Sequence, residues 1–101
     1  MKLLFVGEVV GKRGKTILQK NLSRIRDELE LDFVIVNGNK IDNGFSVNSE
    51  DVEDLERAGV DVITLGDNCF KKRATVELLD SYDFVLRPAN AFIGNPGRGF
   101  T

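Results

Sequence analysis

Four short apolar runs, Leu3-Leu4-Phe5-Val6, Phe33-Val34-Ile35-Val36, Val60-Asp61-Val62-Ile63-Thr64-Leu65 and Phe84-Val85-Leu86, alternate along the chain with segments of helical spacing. A strand, a helix and a second strand make a right-handed βαβ unit, so this alternation predicts an α/β fold with a parallel sheet of about four strands. Between the first two runs, Leu18, Leu22, Ile25 and Leu29 recur at i, i+4, i+7 and i+11, the stripe of an amphipathic helix. Asn48 and Ser49 are placed to cap a second helix that carries Glu50 and Asp51 in its first turn, and Gly59 is placed to end it. A third helix is predicted from about Lys72 to Ser81, with Val76 and Leu79 facing in. The glycine-rich tail AFIGNPGRGFT reads as a loop.

Three of the runs are apolar at successive positions, which predicts a sheet covered on both faces. Three crossover helices cover both faces only if the strand order reverses. A sequential order puts them all on one face and leaves the other for a partner. The 101 residues are enough for one domain, 1–101, and the ending Gly99-Phe100-Thr101 reads as part of a larger layered fold.

Composition narrows the partners. The formal net charge is −2 and the pI about 5.1, so no global basic field draws the chain to nucleic acid or an anionic membrane. Lys71, Lys72 and Arg73 are the one basic cluster, and no aromatic platform interleaves with them in the sequence. Neither nucleic acid nor membrane is expected as a partner. The single cysteine, Cys69, excludes an internal disulfide and a cysteine-built zinc site, and fits a reducing cytosol. No apolar run approaches 18 residues and MKLLFVGEVV lacks the features of a signal peptide, so a cytoplasmic location is expected. Histidine is absent, which removes the commonest general base and metal ligand.

In a parallel sheet the loops after the strands gather at one edge, where ligands bind. Here those loops are GEVVGKRG, NGNKIDNG, GDNCF and RPAN, and they deliver Glu8, Asn37, Asn39, Lys40, Asp42, Asp67, Asn68 and Asn90. Such side chains suit a metal or a phosphate. They also make turns, and spacing alone favours that plainer reading. The stretch GEVVGKRGKT is not a Walker A loop, because Gly14-Lys15-Thr16 require a glycine at position 9, which is valine. The dinucleotide pattern fails too, since Gly7, Gly11 and Gly14 have the wrong spacing. Lys12, Arg13 and Lys15 at the start of the first helix then read as a solvated basic turn rather than a phosphate site.

Five ordered motifs carry a more specific signal: Gly7-Glu8-Val9-Val10-Gly11, Asn37-Gly38-Asn39-Lys40, Gly66-Asp67-Asn68, Arg87-Pro88-Ala89-Asn90 and Pro96-Gly97-Arg98-Gly99. In this frame the chain resembles the N-terminal portion of the YmdB-type metallophosphoesterases of the calcineurin-like superfamily. Their pattern is G-D-V-V-G, N-G-E-N, G-N-H, R-P-A-N and P-G-R-G. The resemblance implies the first sheet and helices of an αββα sandwich, whose second sheet and later histidines lie outside these residues. It further implies that Glu8, Asn39, Lys40, Asp67 and Asn68 occupy metal-ligand positions, with Asn68 at the position of the proton-donating histidine.

All five of those positions depart from the pattern while their neighbours keep it. A two-metal phosphoesterase holds phosphate between cations about 3.5–4 Å apart. An ammonium at Lys40 beside a divalent cation is repelled by several kcal/mol even at an effective dielectric near 20. Glu8 is a methylene longer than aspartate, and Asn68 neither donates a proton near neutral pH nor replaces imidazole. Lys40 is instead expected within salt-bridge distance of Glu8 or Asp67, standing in for a cation.

The resemblance thus implies a disarmed N-terminal half of a metallophosphoesterase, a truncated pseudoenzyme without hydrolytic activity alone. It is expected to act through assembly as a homo-oligomer or with a complementary C-terminal half, and to need no cofactor. The alternative is a phosphodiesterase acting on cyclic nucleotides or small phosphoesters, active only when a second chain completes a site for Mn, Mg or Fe.

Overall fold

The computed structural model describes residues 1–101 and orders the elements as β1 (Leu3–Val6), α1 (Gly11–Leu29), β2 (Phe33–Asn37), α2 (Ser49–Ala58), β3 (Val62–Thr64), α3 (Arg73–Ser81) and β4 (Val85–Leu86). All neighbouring strands are parallel and their spatial order is sequential, β1-β2-β3-β4. The α/β reading and the four-strand parallel sheet are therefore correct. Because the order never reverses, right-handed crossovers place all three helices on one side.

Register then divides the strand residues. Leu4 and Val6 lie in line with Val34 and Val36, and Val36, Ile63 and Val85 continue the row. That row faces the helices, and Val34, Val36, Ile63 and Val85 are fully buried in one core with Leu22, Val52, Leu55, Leu78 and Leu79. The opposite row, Leu3, Phe5, Phe33, Ile35 and Leu86, has no helix over it. Leu3 is 51% exposed and Phe5 55%. The expectation of two covered faces thus holds for one face only, and the other is apolar and open along β1 and β2, while Val62 beside Ile35 is buried.

The helices follow local signals. Asn48 caps α2 by accepting from the Asp51 N–H at 2.8 Å, while the Asp51 carboxylate accepts from the Asn48 N–H at 3.0 Å. Gly59 ends that helix at φ 108°. In α1, Leu22 is fully buried and Leu18 packs against the core, but Leu29 is 52% exposed. A helix of 19 residues rises about 28 Å, whereas a strand of four or five spans about 13–17 Å, so the last turn of α1 overhangs the sheet. In α3, Leu79 is buried as expected, and Leu78 and Thr75 join it, with Val76 only half-buried.

Lys15 departs most from its sequence reading. It is not part of a solvated turn. Its side chain is buried, and its ammonium donates to Asp51 at 2.7 Å and Asp54 at 2.8 Å, joining α1 to α2. No helix is long and apolar enough to cross a membrane.

Candidate functional site

The site is built where the first three strands end. The β2 tip is fixed first. Asn37 accepts the Val9 N–H at its carbonyl and the Asn39 N–H at its side chain, both at 3.1 Å. Gly38 donates to the Thr64 carbonyl at 2.9 Å. A Cβ at Gly38 would lie 2.9 Å from the Ile63 side chain, so only glycine lets the β2 tip sit this close to β3.

Asn39 is then buried between the two tips. Its amide oxygen accepts from the Gly66 N–H at 2.8 Å and the Asn68 N–H at 3.3 Å. Its amide nitrogen donates to the Asp67 carboxylate at 2.9 Å. Asn68 is buried as well, and its side-chain nitrogen donates to the carbonyls of Asn39 at 3.2 Å and Gly44 at 3.4 Å. The two amides thus bond to protein groups, which is what their burial requires.

The charged residues lie outside this amide core. The backbone of Lys40 bridges Val10 on one side and Ser46 on the other, and its carbonyl accepts the Gly11 N–H at 3.0 Å. The Lys40 ammonium lies 3.5 Å from the Glu8 carboxylate, as the sequence led us to expect. The hydrogen bond from Asn39 holds the Asp67 carboxyl below the usual aspartate range, and the positive charges of Lys71 and Lys40 act in the same direction. Lys72 pairs with Asp42 at 3.1 Å. Glu8, Asn39, Lys40, Asp67 and Asn68 are therefore brought to one edge. Asn90 is exposed in the loop after β4.

A divalent cation needs several anionic or neutral oxygens or nitrogens free to converge on it. Nowhere do three or more histidine, cysteine, aspartate or glutamate side chains gather in that way. The donor set at the strand tips is the Asn39 amide, bonded to protein at both ends, the Asn68 amide, bonded through its nitrogen, two carboxylates and an ammonium. It does not fit a metal centre.

The remaining motif residues do architectural work. The Arg87 guanidinium donates to the carbonyls of Pro96 and Pro88, and the Arg87 backbone N–H donates to the Arg98 carbonyl at 3.0 Å. A Cβ at Gly99 would lie 2.5 Å from the Ala89 Cα, so the R-P-A-N and P-G-R-G segments lie flat on each other. The sequence profile described as "YmdB-like protein" matches residues 4–101, which is the whole of this frame. The chain belongs to the YmdB-like family.

This YmdB-like chain is 30% identical over 101 residues to the 2',3'-cyclic-nucleotide 2'-phosphodiesterase of Bacillus subtilis (strain 168), covering 100% of the chain and 38% of that relative. Its fold superposes on the crystal structure of a hypothetical protein from Thermus thermophilus with a TM-score of 0.91. That pair is 34% identical, and the match covers 100% of this chain and 39% of the other. A Mycoplasma pneumoniae crystal structure described as a novel phosphatase gives a TM-score of 0.88 at 29% identity, covering 98% and 37%. The chain thus spans about two-fifths of the length of the proteins it matches, in their N-terminal part as the motif frame implied.

Two features escaped the sequence reading. The Lys71 and Lys72 ammoniums each lie over the Phe45 ring, 5.7 Å from its centroid. Ser46 is fully buried at φ 62°, and its hydroxyl has no partner. The signal available for both was the string Asp42-Asn43-Gly44, which marks a tight turn but not the direction of the residues after it.

Proposed function

We propose that this chain is a phosphoesterase scaffold whose hydrolytic centre has been replaced by an internally neutralised polar cluster, and that it acts through assembly rather than catalysis. One observation carries the reading: the Lys40 ammonium rests 3.5 Å from Glu8, at positions where the resemblance expects metal ligands. Lys40 supplies the positive charge there. Asn39 commits both ends of its amide to hydrogen bonds within the protein and Asn68 commits its nitrogen, which leaves too few ligands for a divalent ion beside the Lys40 ammonium. Asn68 also removes the imidazole needed to protonate a leaving alkoxide.

The open face supports the assembly part. Leu3, Phe5, Phe33 and Ile35 lie side by side on β1 and β2 as an apolar patch, with Leu3 and Phe5 more than half exposed, of the kind that soluble monomers rarely leave uncovered. A copy of the chain or a complementary C-terminal half covers it.

The test has two arms. With Mn²⁺, a chromogenic phosphodiester and a 2',3'-cyclic nucleotide should both stay uncleaved by this chain, and turnover above the buffer rate would overturn the disarmed reading. Light scattering after size exclusion should show an oligomer that Phe5→Lys dissociates. A strict monomer would overturn the assembly reading.

A second reading rests on Glu8 and Asp67, whose carboxylates stay exposed at the tips. In it, a second chain brings histidines, and Mn, Mg or Fe then binds. The same assay with such a chain present separates the two, because only this reading expects turnover.

A further inference from the structure

The two edges of the sheet are finished differently. Beyond β4 the tail closes the ladder: Leu86 bridges Arg98, and the Arg87 backbone N–H donates to the Arg98 carbonyl at 3.0 Å. Beyond β1 no strand or bridge follows, and no backbone bond outside the β1–β2 ladder engages Leu3 to Gly7. Exposed edges are ordinarily blunted by a charge, a proline or a bulge. The run Leu3-Leu4-Phe5-Val6-Gly7 has neither charge nor proline, and Leu3 to Val6 pair with β2 without a bulge.

The ladder fixes which residues offer their backbone outward. The Lys2 carbonyl accepts the Phe33 N–H, on the β2 side. Successive residues of a strand turn their N–H and C=O to opposite edges. Leu4 and Val6 are therefore committed to β2, while Leu3, Phe5 and Gly7 point both groups away from it.

That outward row is complementary to itself. In an antiparallel pair, opposed residues of one kind exchange both bonds. A two-fold axis through Phe5 sets Phe5 against Phe5 of another copy and Leu3 against Gly7, so all three outward residues are satisfied. The two rings meet as a cross-strand aromatic pair. Leu3 faces a glycine with nothing within 4 Å of where a Cβ would stand, so the leucine has room. Charges agree as well, because one more residue at each end brings Lys2 of each copy opposite Glu8 of the other. Both side chains are exposed, and their contacts within one copy are long, 3.9 Å from Lys2 to Glu30 and 3.5 Å from Glu8 to Lys40.

We infer that the bare edge of β1 pairs antiparallel with β1 of a second copy about a two-fold axis at Phe5, which joins two four-strand sheets into one. This rests on the assembly reading and names its contact. The helices of both copies lie on one side of the joined sheet, and their open β1–β2 faces run together on the other.

Amide exchange of the ¹⁵N-labelled full chain, with its mass in solution, provides the test. The Leu3, Phe5 and Gly7 amides should exchange more than about tenfold slower at millimolar than at micromolar chain, while Leu4 and Val6 stay protected at both. Phe5→Pro removes the ring and an outward N–H, which an edge strand tolerates, and should give a folded monomer. Phe5→Ala keeps the N–H and should weaken the dimer less. Lys2→Glu should weaken the dimer, and Lys2→Glu with Glu8→Lys should restore it; these surface changes serve if the proline variant unfolds. An oligomer whose three amides exchange alike at both concentrations would overturn the edge pairing and leave assembly standing, as would equal weakening by Phe5→Ala and Phe5→Pro. A strict monomer would overturn both. Protection that appears only when the C-terminal part of the Bacillus subtilis relative is added would give the edge to a completing chain and overturn self-pairing.

Discussion

The Lys15 ammonium lies 2.7 Å from the Asp51 carboxylate, deep between α1 and α2, and the same ammonium reaches Asp54 at 2.8 Å. Two carboxylates share one buried cation, and Asp51 also closes the capping box of α2. Removing the cation leaves Asp51 buried and uncompensated.

Lys15→Met should therefore destabilise the fold by about 3–5 kcal/mol, the range for breaking a buried pair. The exposed pair Lys2–Glu30, at 3.9 Å, is the internal comparison, and Lys2→Met should change stability by less than about 1 kcal/mol. Urea denaturation of both variants measures the contrast. Equal effects would mean that the buried trio contributes no more than a surface contact.

The same trio sets a pH dependence. Burial works to lower the Lys15 pKa, but the hydrogen bonds and charges of Asp51 and Asp54 outweigh it, so the pKa ends above the ordinary 10.5. Its stabilisation is complete below pH 10.5 and is lost as pH rises through the folded value. Asp54 is displaced the other way, chiefly by its hydrogen bond from Lys15, and falls below 3.8. Its stabilisation is complete above pH 3.8 and is lost as pH falls through the folded value. Asp67 titrates in the same sense as Asp54. Thermal melts across pH should show a plateau with losses on both sides, and Asp54→Asn should flatten part of the acid limb. An unchanged acid limb in that variant would remove Asp54 from the account.

Ser46 combines a left-handed backbone with a buried hydroxyl lacking a partner. Ser46→Gly relieves both, and glycine adopts φ 62° without a steric penalty. The gain should be about 1 kcal/mol, since removal of an unsatisfied polar group offsets the extra freedom of the unfolded chain. Ser46→Val should lose stability, because a β-branched residue is a poor fit to that region. Chemical denaturation of the two variants should move the midpoint in opposite directions.

Alternation of short apolar runs with helical stripes was enough to specify the α/β class, because each βαβ unit is a local pattern with one favoured hand. Strand order was not legible, since Val34 and Ile35 look alike in the sequence although one is buried by helices and the other lies on the open face. The Lys40–Glu8 contact was legible because both residues sit in short loops at strand ends. Lys15 misled because basic residues near a helix start are usually solvated, and its partners lie 36 and 39 positions away. Phe45 was missed for the same reason of separation: a turn of left-handed residues aims it at lysines from another loop.

The strand-tip cluster makes the last prediction. Lys40→Asn alone removes the ammonium but leaves the Asn39 and Asn68 amides bonded to protein, so it should create no site for Mn²⁺. Adding Glu8→Asp, Asn39→Glu, Asp67→Asn and Asn68→His supplies compact carboxylates and an imidazole at the same tips. Mn²⁺ should then broaden the amide signals of residues 7–9, 38–40 and 66–69 in the fivefold variant. The single variant and the unaltered chain should show no broadening there at equal Mn²⁺. A difference of about two decades in affinity corresponds to about 2.7 kcal/mol, well within the several kcal/mol by which an ammonium repels a divalent ion at this range. Broadening of those same signals in the unaltered chain would mean that Lys40 swings away from Glu8 and that the edge still accepts a cation.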